Sequence, residues 1–183
     1  MNFTRQSIPD VLLIKPSVNI DRRGYFSETF RKDLLEEYLG YEVNFVQDNE
    51  SKSAKGVLRG LHFQIPPFAQ AKLVRVIAGS VLDVAVDIRK ASKTFGQYVA
   101  AELTSKNKHQ LFVPRGFAHG FVVLSKSATF LYKVDNRYSP KHERGIAFND
   151  LDLNIDWKLP KEDLIVSTKD SNHILFKDIK NLF

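Results

Sequence analysis

A succession of short apolar or alternating segments constrains this chain more than any other feature. They cover residues 11–18, 25–30, 43–46, 58–63, 73–77, 81–88, 98–103, 110–113, 117–123 and 129–134, and Gly, Asn, Lys and Ser punctuate them. Alternation places every second side chain on one face of a strand, and many such strands at even spacing need a partner sheet to bury that face. The pattern predicts a sandwich or barrel. Ala78-Gly79-Ser80 reads as a tight hairpin and Ser105-Lys106-Asn107-Lys108 as a polar turn. One helix is expected over 31–39, where Leu34, Leu35, Tyr38 and Leu39 share a face and Gly40 provides a stop. A second short helical piece is expected over 172–179. No repeat, low-complexity run or linker divides the chain, so residues 1–183 are expected to form a single domain.

Composition excludes several functions. Cysteine is absent, so no disulfide, thiolate nucleophile or zinc–cysteine site is available. The amino terminus lacks an apolar run, and nothing approaches the roughly 18 consecutive apolar residues of a membrane span. A soluble, cytoplasmic protein without a membrane partner is the expectation. The +6 charge, from 27 basic and 21 acidic residues, is spread along the chain. Without a basic block or nucleic-acid motif, it suits either a solvated surface or a small phosphorylated ligand better than DNA or RNA.

Two stretches carry more specific information: Gly56-Val57-Leu58-Arg59-Gly60-Leu61-His62-Phe63-Gln64, and Pro114-Arg115-Gly116-Phe117-Ala118-His119-Gly120. Together they resemble the two metal-binding signatures of the cupin barrel. Metal-binding cupins follow the first His with another two residues on, and then with a Glu. Here Gln64 and Gln70 stand instead, and a neutral amide is a poor transition-metal ligand. The resemblance implies a barrel that kept its pocket and lost its metal, freeing His62 and His119 for acid–base work.

The residues around His62 suit proton transfer at carbon. An imidazole can remove a proton from a C–H next to a ketone, a nearby cation can steady the enolate, and a phenol can return a proton on the other face. Lys72, if it points inward, needs an anion, and Tyr132 offers a phenol. A carboxylate behind the histidine would fix its tautomer, and Asp170 lies in a polar run. Each has an ordinary alternative: a hydrogen-bonded strand histidine, a surface lysine, a core tyrosine, a solvated turn. Asp83 and Asp87 lie among apolar residues and need partners if buried. Strand parity raises a conflict: Arg59 and His62 point to opposite faces unless a bulge or a bend at Gly60 intervenes. Arginines such as Arg23 and Arg59 can grip phosphate, and Phe26 or Tyr138 can stack on a base.

The order of these motifs, with Asp21-Arg22-Arg23-Gly24-Tyr25-Phe26-Ser27-Glu28, Phe45-Val46-Gln47-Asp48-Asn49, Gln70-Ala71-Lys72-Leu73-Val74, Asp83-Val84-Ala85-Val86-Asp87-Ile88-Arg89 and Leu131-Tyr132-Lys133, resembles the dTDP-4-dehydrorhamnose 3,5-epimerase family over nearly the whole chain. The resemblance implies an all-β, cupin-like jelly roll with one or two short peripheral helices, a homodimer, no metal and no cofactor. It implies epimerisation at C3 and C5 of dTDP-4-dehydro-6-deoxyglucose on the route to dTDP-L-rhamnose. By motif position, His62 is the base, Asp170 its support, Tyr132 the acid and Lys72 the enolate cation. Arg23, Phe26, Glu28, Gln47, Asp48, Asn49, Arg59, Lys72, His119, Glu143 and Lys169 fall at substrate-contact positions, and Tyr138 at the aromatic that stacks on thymine. Glu50 stands where relatives often carry His, Phe148 where Trp is common, and Lys158 follows Trp157 where Pro is common. Glu50 leaves the identity of the sugar or nucleotide more open than the reaction class. The alternatives are a mono-epimerase or ketoisomerase on a related nucleotide-linked 4-keto sugar, a non-catalytic cupin that binds a nucleotide sugar, and a metal-dependent cupin, the last disfavoured by Gln64 and Gln70.

Overall fold

The computed structural model describes residues 1–179 and Phe183. Residues 180–182, part of the 1–183 span expected as one domain, lie outside the described residues. Fourteen strands and two short helices follow one another along the described chain. One sheet has the order β1(Asn2–Arg5), β2(Leu12–Lys15), β10(Gln110–Val113), β7(Lys72–Ala78), β12(Ser127–Val134), β5(Gln47–Ala54). The second runs β13(Glu143–Gly145), β6(Val57–Gln64), β11(Phe117–Val123), β8(Ser80–Asp87), β9(Tyr98–Thr104), with β14(Ile165–Val166) parallel on β6. β3(Val18–Asp21) and β4(Gly24–Ser27) form a separate hairpin. Two sheets facing one another make the cupin-like jelly roll that the sequence led us to expect.

Alternation explains the core between the sheets. Val74, Val76, Leu111, Val113 and Phe130 of the first sheet meet Val81, Ala85, Val99, Leu103, Phe117 and Phe121 of the second. The outer face of the second sheet, with Leu58, Leu61, Phe63, Leu82, Val84, Val86 and Val122, is covered by Ile146, Leu153 and Trp157 from the carboxy-terminal third. The outer face of the first, with Leu12, Ile14, Leu73 and Phe112, is covered by Leu35 of α1(Lys32–Leu39) and by Val43. Covering both faces turns alternating strands into continuously buried ones, as β11 is over its whole length.

The sequence reading is corrected in four places. Segment 43–46 is not a strand: Val43 packs under α1, and the strand is the polar Gln47–Ala54 that follows. Segment 11–18 splits into β2 and β3 around Pro16-Ser17. Gly79 does not close a hairpin, because β7 and β8 lie in different sheets. It turns a corner with φ 81°, where a Cβ would sit 2.1 Å from the Ser127 carbonyl oxygen. The second helix precedes its expected place: α2 is Thr168–Ser171, and only a 3₁₀ turn, Phe176–Asp178, falls within 172–179. Gly40 caps α1 as expected, with φ 78°. Among the described residues, no helix is long and apolar enough to cross a membrane.

Candidate active site

The parity conflict at Gly60 is resolved by a bulge. On β11, His119 and Phe121 are two residues apart. Their partners on β6, His62 and Arg59, are three apart, so β6 carries one extra residue. Leu58 therefore points outward on one side of the bulge and Leu61 and Phe63 on the other, while Val57, Arg59 and His62 all face the pocket. Gly60 adopts φ 142°, and a Cβ there would lie 2.6 Å from Gly120 Cα. Only glycine fits the crossing.

The pocket is a cleft of about 660 Å³ between the sheets. His62 enters from β6 of the second sheet, and Tyr132 and Lys72 from β12 and β7 of the first, on the facing wall. Arg59, Gln47, Asn49, His119, Tyr138, Glu143, Lys169 and Asp170 complete the predicted residues found there.

His62 Nε2 lies 2.7 Å from Asp170 Oδ1. Asp170 is brought in by the first turn of α2, where Ser167 Oγ accepts its backbone N–H. Although burial opposes ionisation, His173, His62 and the Gly60 N–H together hold the Asp170 carboxyl well below the usual range. With Asp170 ionised, Nε2 of neutral His62 carries the hydrogen and Nδ1 keeps the lone pair a base requires.

His119 Nε2 lies 3.0 Å from both carboxylate oxygens of Asp83, which is fully buried between the sheets. Burial lowers the His119 pKa, opposed by Asp83 and reinforced by Lys72. Lys72 is lowered to about 8, chiefly by burial, with Asp83 and Glu143 favouring its charge. Burial raises the Tyr132 pKa and keeps the phenol protonated. Glu143 accepts from Tyr138 Oη at 2.7 Å and pairs with Lys169 Nζ; burial would raise its pKa, but these bonds leave it lowered. Arg59 Nε donates to Ser53 Oγ at 3.2 Å.

Four predicted residues are not in this cleft. Arg23 is paired with Asp21, Glu28 with Arg31, and Phe26 is 70% exposed on the β3–β4 hairpin. Asp48 alternates out of the cleft, accepts from Lys133 Nζ at 2.8 Å, and lines a separate hollow of about 180 Å³ with Arg75. Glu50 is exposed and does not line this cleft. Sequence reasoning missed Ser51 and Ser167, which line the cleft, and His173 behind Asp170. Asp83 it flagged only as needing a partner. For Ser51, the signal was its alternation with Gln47 and Asn49.

Gln64, in the place of a metal ligand, is committed to the backbone. Its amide donates to the Phe68 and Arg137 carbonyls and accepts from Ser139 N–H. Gln70 donates to the Asn136 carbonyl. His62, Asp170 and His173 offer three donor atoms within 4.8 Å of one another. Two ligands about 2.05 Å from a tetrahedral ion stand about 3.3 Å apart, whereas the His62–Asp170 separation of 2.7 Å is that of a hydrogen bond.

The family model described as dTDP-4-dehydrorhamnose 3,5-epimerase matches residues 5–178. The dTDP-4-dehydrorhamnose 3,5-epimerase of Shigella flexneri is 53% identical over 178 residues, covering 97% of each chain. The crystal structure of the enzyme of that name from Elizabethkingia anophelis superposes with a TM-score of 0.95 at 52% identity, over 99% of this chain and 98% of that one. A dTDP-6-deoxy-D-glucose-3,5-epimerase from Legionella pneumophila, in complex with dTDP-4-keto-L-rhamnose, gives 0.94 at 47% identity, over 98% of this chain and 94% of that one. A pocket with a histidine–aspartate pair facing a half-buried tyrosine and lysine, on a fold shared nearly end to end with these enzymes, places the chain in the dTDP-4-dehydrorhamnose 3,5-epimerase family of isomerases.

Proposed function

We propose that this protein epimerises C3 and C5 of dTDP-4-dehydro-6-deoxy-D-glucose, giving dTDP-4-dehydro-L-rhamnose. The observation that carries the reading is the placement of His62 and Tyr132 on facing walls of one cleft, with Lys72 beside them. His62 Nδ1 takes the proton from carbon, and the C–H electron pair moves into the C4 carbonyl as an enolate. The Lys72 ammonium, near buried Asp83, stabilises the oxygen's charge. Tyr132 then delivers its proton to the opposite face of the carbon, and both groups recover their protonation state from solvent. Two rounds, at C3 and at C5, invert both centres, with no cofactor required by these steps. Arg59 and Lys169 supply cationic charge for the diphosphate, and Tyr138, 52% exposed at the rim, supplies a ring for the base.

A homodimer belongs to the same proposal. Arg23 and Phe26 match substrate-contact positions yet lie outside their own chain's cleft. They sit on a hairpin whose Ile20 is 80% and Phe26 70% exposed. Such apolar exposure suits burial against a second copy. In this reading a hairpin completes the partner's site, each 1–183 chain is a single epimerase domain, and the enzyme works in the cytoplasm.

The test is incubation with dTDP-4-dehydro-6-deoxy-D-glucose in deuterated water, followed by proton NMR at C3 and C5. Exchange and inversion at both carbons are expected. Exchange at one carbon alone would replace the reading with a mono-epimerase, and exchange at neither with a binding protein.

A further inference from the structure

His173 takes no part in the proton steps above, yet its surroundings are unusually specific. Its side chain is 11% exposed, and its Nε2 is buried without a hydrogen-bond partner. That nitrogen lies 3.3 Å from Asp170 Oδ1, within ion-pair distance, with no hydrogen bond completed. The same oxygen holds His62 Nε2 at 2.7 Å, and the other, Oδ2, accepts the Gly60 N–H at 3.3 Å. The His173 ring stands edge-on to His62, with centroids 5.4 Å apart and planes at 86°.

On another side the ring rests on Gly145. A Cβ there would come within 2.2 Å of His173 Nε2, 2.3 Å of Cε1 and 2.4 Å of Cδ2. Gly145 is not among the residues with positive φ, so its backbone does not demand glycine. The missing side chain leaves room for the imidazole. Gly145 is also the ladder partner of His62 on β6, so the seat of one ring is tied by backbone to the strand that carries the other.

We infer that His173 is a positioning residue for the His62–Asp170 pair, acting through the Asp170 carboxylate. A buried ring nitrogen without a partner is costly, and the nearest acceptor is Asp170 Oδ1. At 3.3 Å, an N–H turned toward that oxygen would satisfy both groups. The carboxylate is then gripped on Oδ1 by two imidazoles and on Oδ2 by the strand, so it cannot swing away when His62 takes up a proton. The inference rests on His62 being the base, and it adds a residue that does not itself line the cleft.

The test compares wild type with His173→Phe, which keeps a ring and loses the nitrogen, and His173→Gln, which restores an N–H donor. His173→Phe is expected to lower kcat about tenfold with KM within about twofold, and His173→Gln to recover most of that loss. Independently of turnover, the His62 ring N–H proton seen by NMR should be protected from solvent exchange in wild type and in His173→Gln, and unprotected in His173→Phe. Gly145→Ala/His173→Ala, which relieves the clash and removes the imidazole, should match His173→Phe in both readouts and serves if that variant does not fold. Wild-type kcat and an equally protected proton in the variants lacking the nitrogen would overturn the inference. If wild type itself exchanges no substrate hydrogen, the base assignment falls, and the ring proton still decides whether His173 positions the pair.

Discussion

His62 and Asp170, 108 positions apart in the chain, meet through a 2.7 Å contact between Nε2 and Oδ1. The strand delivers one and a single helical turn delivers the other, and their union determines which ring nitrogen is free. His62→Asn should therefore lower deuterium exchange at C3 and C5 by at least about 10²-fold. Near-normal exchange in a folded variant would remove His62 from the base role.

Tyr132→Phe separates the two faces. It preserves the ring that packs 6.0 Å from Phe130 and removes only the donor. Deuterium should still wash into the sugar, because His62 can return a deuteron to the face it attacked, while the yield of inverted product collapses. Full inversion at an undiminished rate would exclude Tyr132 as the acid.

Lys72 predicts a pH dependence of known sign. Its pKa is lowered to about 8, so the charge proposed to steady the enolate is present below that pH and lost above it. kcat/KM should fall on the alkaline side near pH 8, and Lys72→Arg should move that limb upward. Stability runs the other way. The folded pKa lies below the ordinary 10.5, so the charged lysine opposes folding most below about pH 8, and the penalty fades as pH rises toward the unfolded value. Lys72→Met should thus raise the denaturation midpoint at pH 7 and give little gain above about pH 10.5, while losing activity; an equal gain at both pH values would refute the electrostatic account.

Gly60→Ala should destabilise the fold by about 1–3 kcal/mol from backbone strain alone. Contact with Gly120 Cα should add to that. Activity should fall further than the folded fraction accounts for, because the bulge aims both Arg59 and His62. Urea titration alongside kcat measures both, and an unchanged midpoint would mean that the crossing at Gly120 opens easily.

Mixing tests the hairpin. If Arg23 and Phe26 serve the partner's cleft, Arg23→Ala and His62→Asn chains exchanged into mixed dimers should regain about a quarter of the wild-type sites. At substrate concentrations below KM the mixture would exceed the sum of its parts. Activity equal to that sum would return the hairpin to its own chain or to no site at all.

Alternation and glycine placement already determined a β-rich fold, the limits of α1 and most strands, because period two and positive φ are local properties. The polar strand Gln47–Ala54 was hidden because its own residues supply little of the buried core: Ser53 alone of the eight is buried. The motifs Leu58-Arg59-Gly60-Leu61-His62 and Gly116-Phe117-Ala118-His119-Gly120 also pointed to residues that line the cleft, Arg59, His62 and His119. The tertiary structure decided what long-range packing alone can decide. It brought Asp170 to His62, set Asp83 beneath His119, and turned Gly79 into a corner between sheets. The conflict between Arg59 and His62 could be stated from strand parity, but its resolution needed the partner strand, because a bulge is defined by the register of two chains of residues and not by the sequence of one.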